Sequence, residues 1–270
     1  SERTTDAPAN QSAKDVISVS IEYYTPTTLG IMTKYWVSGC VKTRLGKTIG
    51  MDTAAELHKL FVSHLCGSLS EAGDQRCVCL SPHDTIQIFR QELEKWQLSQ
   101  KWTVIPQGNG DLGTRMNDWF RETLSRDGRQ NAILIGGDCP LLLKSDIDAA
   151  ADCLLQSDVV LGPAADGGYY LIGMSGPWQP NFENMFQGVP WSTTDVLEVT
   201  REKLAGSDLT FTELQTREDV DTVRELVNLR TSRSATEQQK GTVHQDLFLK
   251  LETILKESSL FEEGTECPGP

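Results

Sequence analysis

The chain has 270 residues, enough to enclose a full hydrophobic core as one large domain or as one domain with tails. It carries 38 Asp and Glu against 25 Lys and Arg, a net charge of −13, which excludes a general nucleic-acid or anionic-membrane surface. No apolar run approaches the roughly 18 residues of a membrane span, and the polar first 15 residues hold no secretory-type apolar segment. Seven cysteines, an odd count without a C-x-x-C pair, point away from a disulfide framework or a zinc site and toward the cytoplasm.

Residues 1–15 lack any period and read as a disordered leader, and 16–24 alternate enough for a short edge strand. Residues 28–33 are the expected first core strand. Behind it come Lys34, Gly39, Lys42, Thr43 and Arg44, a glycine and three cations in one loop. Backbone N–H groups at Gly39 can approach an anion closely, and Lys42 and Arg44 can neutralise phosphate charge. A solvated basic turn has the same composition, but the position behind the first strand of an α/β pattern favours the anion cradle. The spacing is not that of a Walker A loop.

Thr53 and Glu56 have capping-box spacing, followed by Leu57, Leu60, Phe61 and Leu65 at helical period. His58 and His64 on this helix read as surface or packed histidines. Residues 77–80 form a second strand. Ser81 and Pro82 open a second amphipathic helix with Ile88, Leu93 and Trp96 inward, and 102–105 form a third strand. Gly108, Gly110 and Gly113 then crowd into six residues just before Arg115. That crowding means either a backbone approach to base and ribose or a tight strand–helix connection capped by Asp111.

The chain is organised around residues 132–174. Two β-branched runs, 133–135 and 159–161, stop at glycine, the first at Gly136, Gly137 and Asp138. A short buried run ending this way marks a core strand whose carboxyl end carries chemistry. Asp138 is placed to hold a metal against a polyphosphate, since Ser145 with Asp148 can cap the next helix. Cys139 has no supporting histidine nearby in sequence and is a poor nucleophile. Asp166, Gly167 and Gly168 turn sharply into Tyr169 and Tyr170. The glycines admit a ligand, while Asp166 faces acceptor or metal, or closes the turn as an Asx residue.

Trp191 either walls an acceptor pocket or packs in the core. Ser192 with Asp195 is expected to cap a helix reaching Leu204, and 209–212 to form a late strand. Asp219 and Asp221 are expected to face opposite ways, with Asp221, next to the helix opened by the Thr222 and Glu225 capping box, turned into the site. A polar linker over 231–242 leads to an amphipathic helix over 244–256 with Leu247, Leu251 and Leu255 on one face. That helix docks on the domain or, as second choice, joins two copies, so the chain is expected as monomer or homodimer. The expected organisation is a leader over 1–27, one nucleotide-binding domain over 28–230, and linker plus helix over 231–270.

In order and spacing, G-x-V-K-T-R-L, G-D-L-G-x-R-M, G-x-D-C-P, L-G-P-A-x-D-G-G-Y-Y-L-I-G, W-S-T and D-V-D-T resemble the uncharacterised bacterial GT-A-like (glycosyltransferase A-type) transferase family. That family is similar to the 2-phospho-lactate guanylyltransferases and the molybdenum-cofactor guanylyl- and cytidylyltransferases. The resemblance spans residues 29–226. It implies a Rossmann-like α/β/α sandwich with a mostly parallel central sheet, of the nucleotide-diphospho-sugar transferase kind.

It also implies Lys42 and Arg44 on the nucleotide phosphates, with Lys34, Gly39 and Thr43 in the same loop. Gly110, Asp111, Gly113 and Arg115 would lie near base and ribose. Asp138 and Asp221 would hold Mg²⁺ or Mn²⁺, and Asp166, Gly167, Gly168, Tyr169 and Trp191 would face the acceptor. The implied activity is metal-dependent nucleotidyl transfer to a small phosphorylated or hydroxyl acceptor. Glycosyl transfer from a nucleotide sugar is the alternative, although Asp138, Cys139 and Pro140 stand where such enzymes show D-x-D. A non-catalytic nucleotide-binding module is third. The chain departs from the family with Tyr35 and Trp36 in place of Ala-Pro, and with Val223 in place of Pro.

Overall fold

A computed structural model describes residues 24–126, 128–232 and 241–257. The expected leader, the edge strand before Tyr24, most of the linker and the chain end lie outside the described residues. Among those described, seven strands form one sheet: β1 (Thr27–Lys34), β2 (Gln75–Ser81), β3 (Thr103–Pro106), β4 (Asn131–Gly136), β5 (Val159–Pro163), β6 (Tyr169–Ser175) and β7 (Phe211–Glu213). Their order is β3-β2-β1-β4-β6-β5-β7, with only β6 antiparallel to its neighbours.

The helices are α1 (Thr43–Ile49), α2 (Met51–Ser68), α3 (Ile86–Lys95), α4 (Leu112–Leu124), α5 (Lys144–Cys153), α6 (Val196–Ala205), α7 (Val223–Thr231) and α8 (Gln245–Glu257). Strands buried on both faces carry near-continuous apolar runs, as β4 does. Ile133 and Ile135 turn to one face, where Val62 and Leu65 of α2, Phe89 of α3 and Ile147 of α5 cover them. Ala132 and Leu134 turn to the other, under Met116 and Phe120 of α4 and Leu197 of α6. The result is the expected three-layer sandwich. No described helix is long and apolar enough to cross a membrane.

The chain leaves β1 toward β2 on one side of the sheet, while β4 lies on the other side of β1. A crevice opens where strand order reverses in this way, outside the carboxyl ends of the two strands. The basic loop follows β1 and Asp138 follows β4, so the topology alone brings them together.

Several local expectations are corrected. Thr43 and Arg44, read as loop, open a helix that runs to Ile49, and Gly50 at φ 92° alone separates α1 from α2. The α2 helix therefore begins at Met51, with Thr53 and Glu56 already inside it and no capping box. A 3₁₀ turn over His83–Thr85 precedes α3 and shifts its phase, leaving Ile88 46% exposed while Ile86, Phe89 and Leu93 turn inward. Ser145 does not cap α5. The Asp146 carboxylate does so, accepting from the Leu143 N–H at 2.8 Å, so Asp138 is not the cap of this helix. Ser192 does not cap α6; the Asp195 N–H donates to Thr193 Oγ1 at 3.3 Å. The Thr222 and Glu225 box on α7 does form.

The C-terminal helix docks on the domain. Leu247, Phe248, Leu251 and Leu255 join Leu57 and Phe61 of α2, Leu45 and Ile49 of α1, and Leu226 and Leu229 of α7 in one cluster. Arg230 and Glu252 pair side-on at 2.8 Å twice, and His64 Nε2 lies 2.8 Å from His244 Nδ1. Leu251→Ala is predicted to lower stability by about 2–5 kcal/mol in denaturant melts. Burial, with His244 adding to it, pushes the His64 imidazole down from 6.5 to about 4. Between those values the unfolded chain takes up a proton that the folded chain refuses, so stability falls as pH drops through that window. His64→Gln should flatten this loss in melts compared at neutral pH and near pH 4.5.

Candidate functional site

An open cleft of about 780 Å³ lies at the carboxyl ends of β1 and β4. It brings together Lys34, Lys42, Thr43, Arg44, Gly110, Asp111, Arg115, Asp138, Asp166, Gly168, Tyr169, Trp191 and Asp221, all singled out from the sequence. Gly39, Gly113 and Gly167, also expected at the site, stand outside its wall. Gly167, at φ 92°, has the Thr194 carbonyl where a Cβ would sit. Gly113 lies against the Trp191 indole, and Gly39 shapes a left-handed turn in the loop.

Lys42 anchors the site. It adopts left-handed backbone angles, φ 44° and ψ 43°, uncommon for a residue with a Cβ, and α1 starts from it. Its side chain is 1% exposed. The ammonium donates to Asp138 Oδ1 at 2.5 Å and to the Val220 carbonyl at 2.6 Å, and lies 3.8 Å from Asp221 Oδ1. The Phe61 ring lies 5.1 Å away. The Val220 N–H donates back to the Asp138 carbonyl at 2.9 Å, which stitches the loop before α7 to the end of β4.

Asp219 and Asp221 both line the cleft, correcting the expectation that they face opposite ways. Residues two apart on an extended chain project to the same side, and Val220 between them, 3% exposed, turns to the core. The carboxyls titrate apart. Removal from water works to raise Asp138, but Lys42 and then His58 outweigh it and hold the group well below the usual carboxylate range. Burial, then Asp138, Asp166 and Asp221, pushes Asp219 up to about 8. Burial and Asp138 likewise raise Asp221, with Lys42 opposing.

Opposite this acidic wall, Asp111 is the N-cap of α4, accepting from the Thr114 N–H at 2.8 Å. Arg115 donates to the Gly110 carbonyl at 2.9 Å and to Gln107 Oε1 at 3.1 Å. Gln107 in turn donates to the carbonyls of Thr33 and Cys79, fixing this loop to the ends of β1 and β2. On the third side Asp166 closes its turn as an Asx residue, accepting from the Gly168 N–H at 2.9 Å. Trp191 stands edge-on to Tyr169, with centroids 6.5 Å apart. Tyr35 and Trp36 stack on each other, and Trp36 packs against Phe89 and Trp96, away from the cleft wall.

Three contributors escaped the sequence patterns: Asp219, Gln107 and His58. Asp219 was available from i, i+2 periodicity correctly applied. Gln107 carries no motif signal. His58 sits among helical apolar positions, so its composition marks it as core.

Residues 68–193 match the family described as "Uncharacterized protein conserved in bacteria" (DUF2064). That span holds Arg115, Asp138, Asp166 and Trp191 but not Lys42, Arg44, Asp219 or Asp221. Among solved structures, the chain is similar to a protein from Desulfovibrio desulfuricans G20 provisionally described as a nucleotide-diphospho-sugar transferase. They share 29% identity and a TM-score of 0.72 over 87% of this chain and 99% of that one. A cytidylyltransferase from Leptospira borgpetersenii serovar Hardjo-bovis shares the fold at 16% identity and TM-score 0.51, over 90% of this chain and 99% of that one. So does a 4-diphosphocytidyl-2C-methyl-D-erythritol synthase from Anaerococcus prevotii, at 10% identity and TM-score 0.50, over 77% of this chain and 96% of that one. No curated protein matches the chain by sequence.

Asp219 supplies a pH test. Between its ordinary value of 3.8 and about 8 the folded chain keeps a proton that the unfolded chain releases. Stability therefore falls as pH rises through that window. Asp219→Asn should gain stability over the wild type progressively from about pH 4 to 8 in metal-free melts. A pH-independent difference would contradict the assignment.

Proposed function

We propose that the protein is a metal-dependent transferase that takes a nucleotidyl group from a nucleoside triphosphate and passes it to a small phosphorylated or hydroxyl acceptor, releasing pyrophosphate. The observation that carries this reading is the convergence of the basic loop with Asp138, Asp219 and Asp221, joined through the Lys42 ammonium. In this reading residues 28–230 form the transferase domain.

The acidic set suits Mg²⁺ or Mn²⁺, which favour hard oxygen ligands. Among the described residues, the donors against Asp138 meet its Oδ1, its half-exposed side chain lines the cleft, and Oδ1 of Asp219 is buried without a hydrogen-bond partner. As they stand, no three described His, Cys, Asp or Glu side chains are drawn together tightly enough to enclose an ion; the Lys42 ammonium lies between Asp138 and Asp221. A divalent ion would be held by Asp138 and Asp221, with Asp219 beside them, and would supply positive charge against the donor phosphates and the pyrophosphate leaving group.

The chain's own part is positioning and electrostatics. Arg44 and Lys42 take the phosphates, Lys42 exchanging its carboxylate partners for them. The rim made by Gly110 and Arg115 receives base and ribose, and the side made by Asp166, Tyr169 and Trp191 orients the acceptor. An acceptor phosphate oxygen then attacks the α-phosphorus. The bond from that phosphorus to the oxygen bridging the β-phosphate breaks, and its electron pair departs with pyrophosphate.

Glycosyl transfer from a nucleotide sugar is the second reading, favoured by the description of the 29% identical Desulfovibrio protein. The test is incubation with Mg²⁺, a panel of nucleoside triphosphates and a metabolite extract. Pyrophosphate release is expected. Nucleotide-sugar turnover without pyrophosphate would select the second reading. No melting shift with any nucleotide or nucleotide sugar, in Mg²⁺ or Mn²⁺, would contradict both. Arg44→Ala should lower turnover on the order of 10²–10³-fold while leaving the fold intact.

A further inference from the structure

His58 lies on α2 and is 5% exposed. Its Nε2 is 3.0 Å from Thr33 Oγ1 and 3.1 Å from the Lys34 carbonyl, at the carboxyl end of β1. Its Nδ1 is buried with no hydrogen-bond partner and points at Asp138 Oδ1 across 3.6 Å. That separation is longer than a hydrogen bond. A buried ring nitrogen left this way calls for a reason, because such groups are nearly always satisfied.

The two nitrogens face different chemistry. Nε2 meets a hydroxyl, which can donate to it when it carries no hydrogen, and a carbonyl, which only accepts from it when it does. Nδ1 meets only a carboxylate oxygen among these contacts, so the hydrogen belongs there. Lys42 and His58 thus face the same oxygen of Asp138, whose side chain is 39% exposed and lines the cleft.

We propose that His58 is a positioning residue for Asp138: its Nδ1–H holds Oδ1 so that Oδ2 stays aimed at the cation site, and it keeps this hold when Lys42 turns to the donor. The proposal rests on the metal-dependent reading above. Hydrogen-bond partners of metal-ligating carboxylates typically change metal affinity 10–100-fold when removed. Without His58, the departure of Lys42 would leave Oδ1 with no donor among its present partners.

Two substitutions separate this role from plain packing. The side-chain amide of Asn places a donor where Nδ1 stands; that of Gln reaches the place of Nε2. Mn²⁺ is titrated into the full-length wild type, His58→Asn and His58→Gln, with bound ion read by electron paramagnetic resonance and folding checked by melting. His58→Asn is expected to bind Mn²⁺ within about threefold of the wild type and His58→Gln about 10–100-fold more weakly. Equal weakening in both variants, or wild-type affinity in His58→Gln, overturns the proposal and leaves the transferase reading standing. No Mn²⁺ binding by the wild type overturns both.

Should neither variant fold, ¹⁵N spectra of the wild-type histidines decide. A protonated Nδ1 on His58 whose shift moves in Asp138→Asn supports the proposal. A bare Nδ1, or one indifferent to Asp138→Asn, overturns it.

Discussion

An ammonium group taken out of water must be ringed by acceptors or give up its charge. Lys42 meets that demand with one carboxylate at 2.5 Å, one backbone carbonyl at 2.6 Å and a second carboxylate at 3.8 Å. The acceptors come from the end of β4 and from the segment before α7, far apart in sequence. The left-handed backbone of Lys42 launches α1, so the same residue fixes where that helix begins. Behind it, Phe61 carries the contact into the cluster shared by α1, α2, α7 and α8. The C-terminal helix therefore braces the loop from the side opposite the cleft.

The same crowding drives neighbouring carboxyls in opposite directions. Asp138 has the ammonium against it and stays ionised; Asp219, a short way off, has three carboxyls near it and its own burial to contend with. A single lysine cannot balance that wall, and the pocket is short of positive charge on its acidic side. An incoming cation would relieve it, and an anionic donor would be met by Arg44 and a released Lys42 on the other side. In the proposed reading, the charge imbalance of this wall and the charge demand of a metal–polyphosphate pair are complementary.

The main strands, and Asp138 at the end of one of them, are legible because buried parallel strands advertise themselves as apolar runs stopped by glycine. The C-terminal helix was legible for a similar reason, a clean apolar stripe. What escaped were features set by neighbours distant in sequence. Residues 43–49 became a helix because Leu45 and Ile49 have a cluster to enter, much of it supplied by α7 and α8. Helix starts at α2, α5 and α6 moved by a few residues because serine or threonine spacing alone does not say which side chain wins the cap. His58 hid in a core pattern since nothing local reveals that its ring reaches the ends of two strands.

The most direct check is a crystal structure with Mn²⁺ and a nucleoside triphosphate, with the metal located by its anomalous scattering. The account predicts one ion coordinated by Asp138 and Asp221, and Lys42 Nζ moved from Asp138 to a donor phosphate. Nucleotide bound elsewhere, or bound in the cleft with the Lys42 and Asp138 pair intact and no ion beside it, would contradict it.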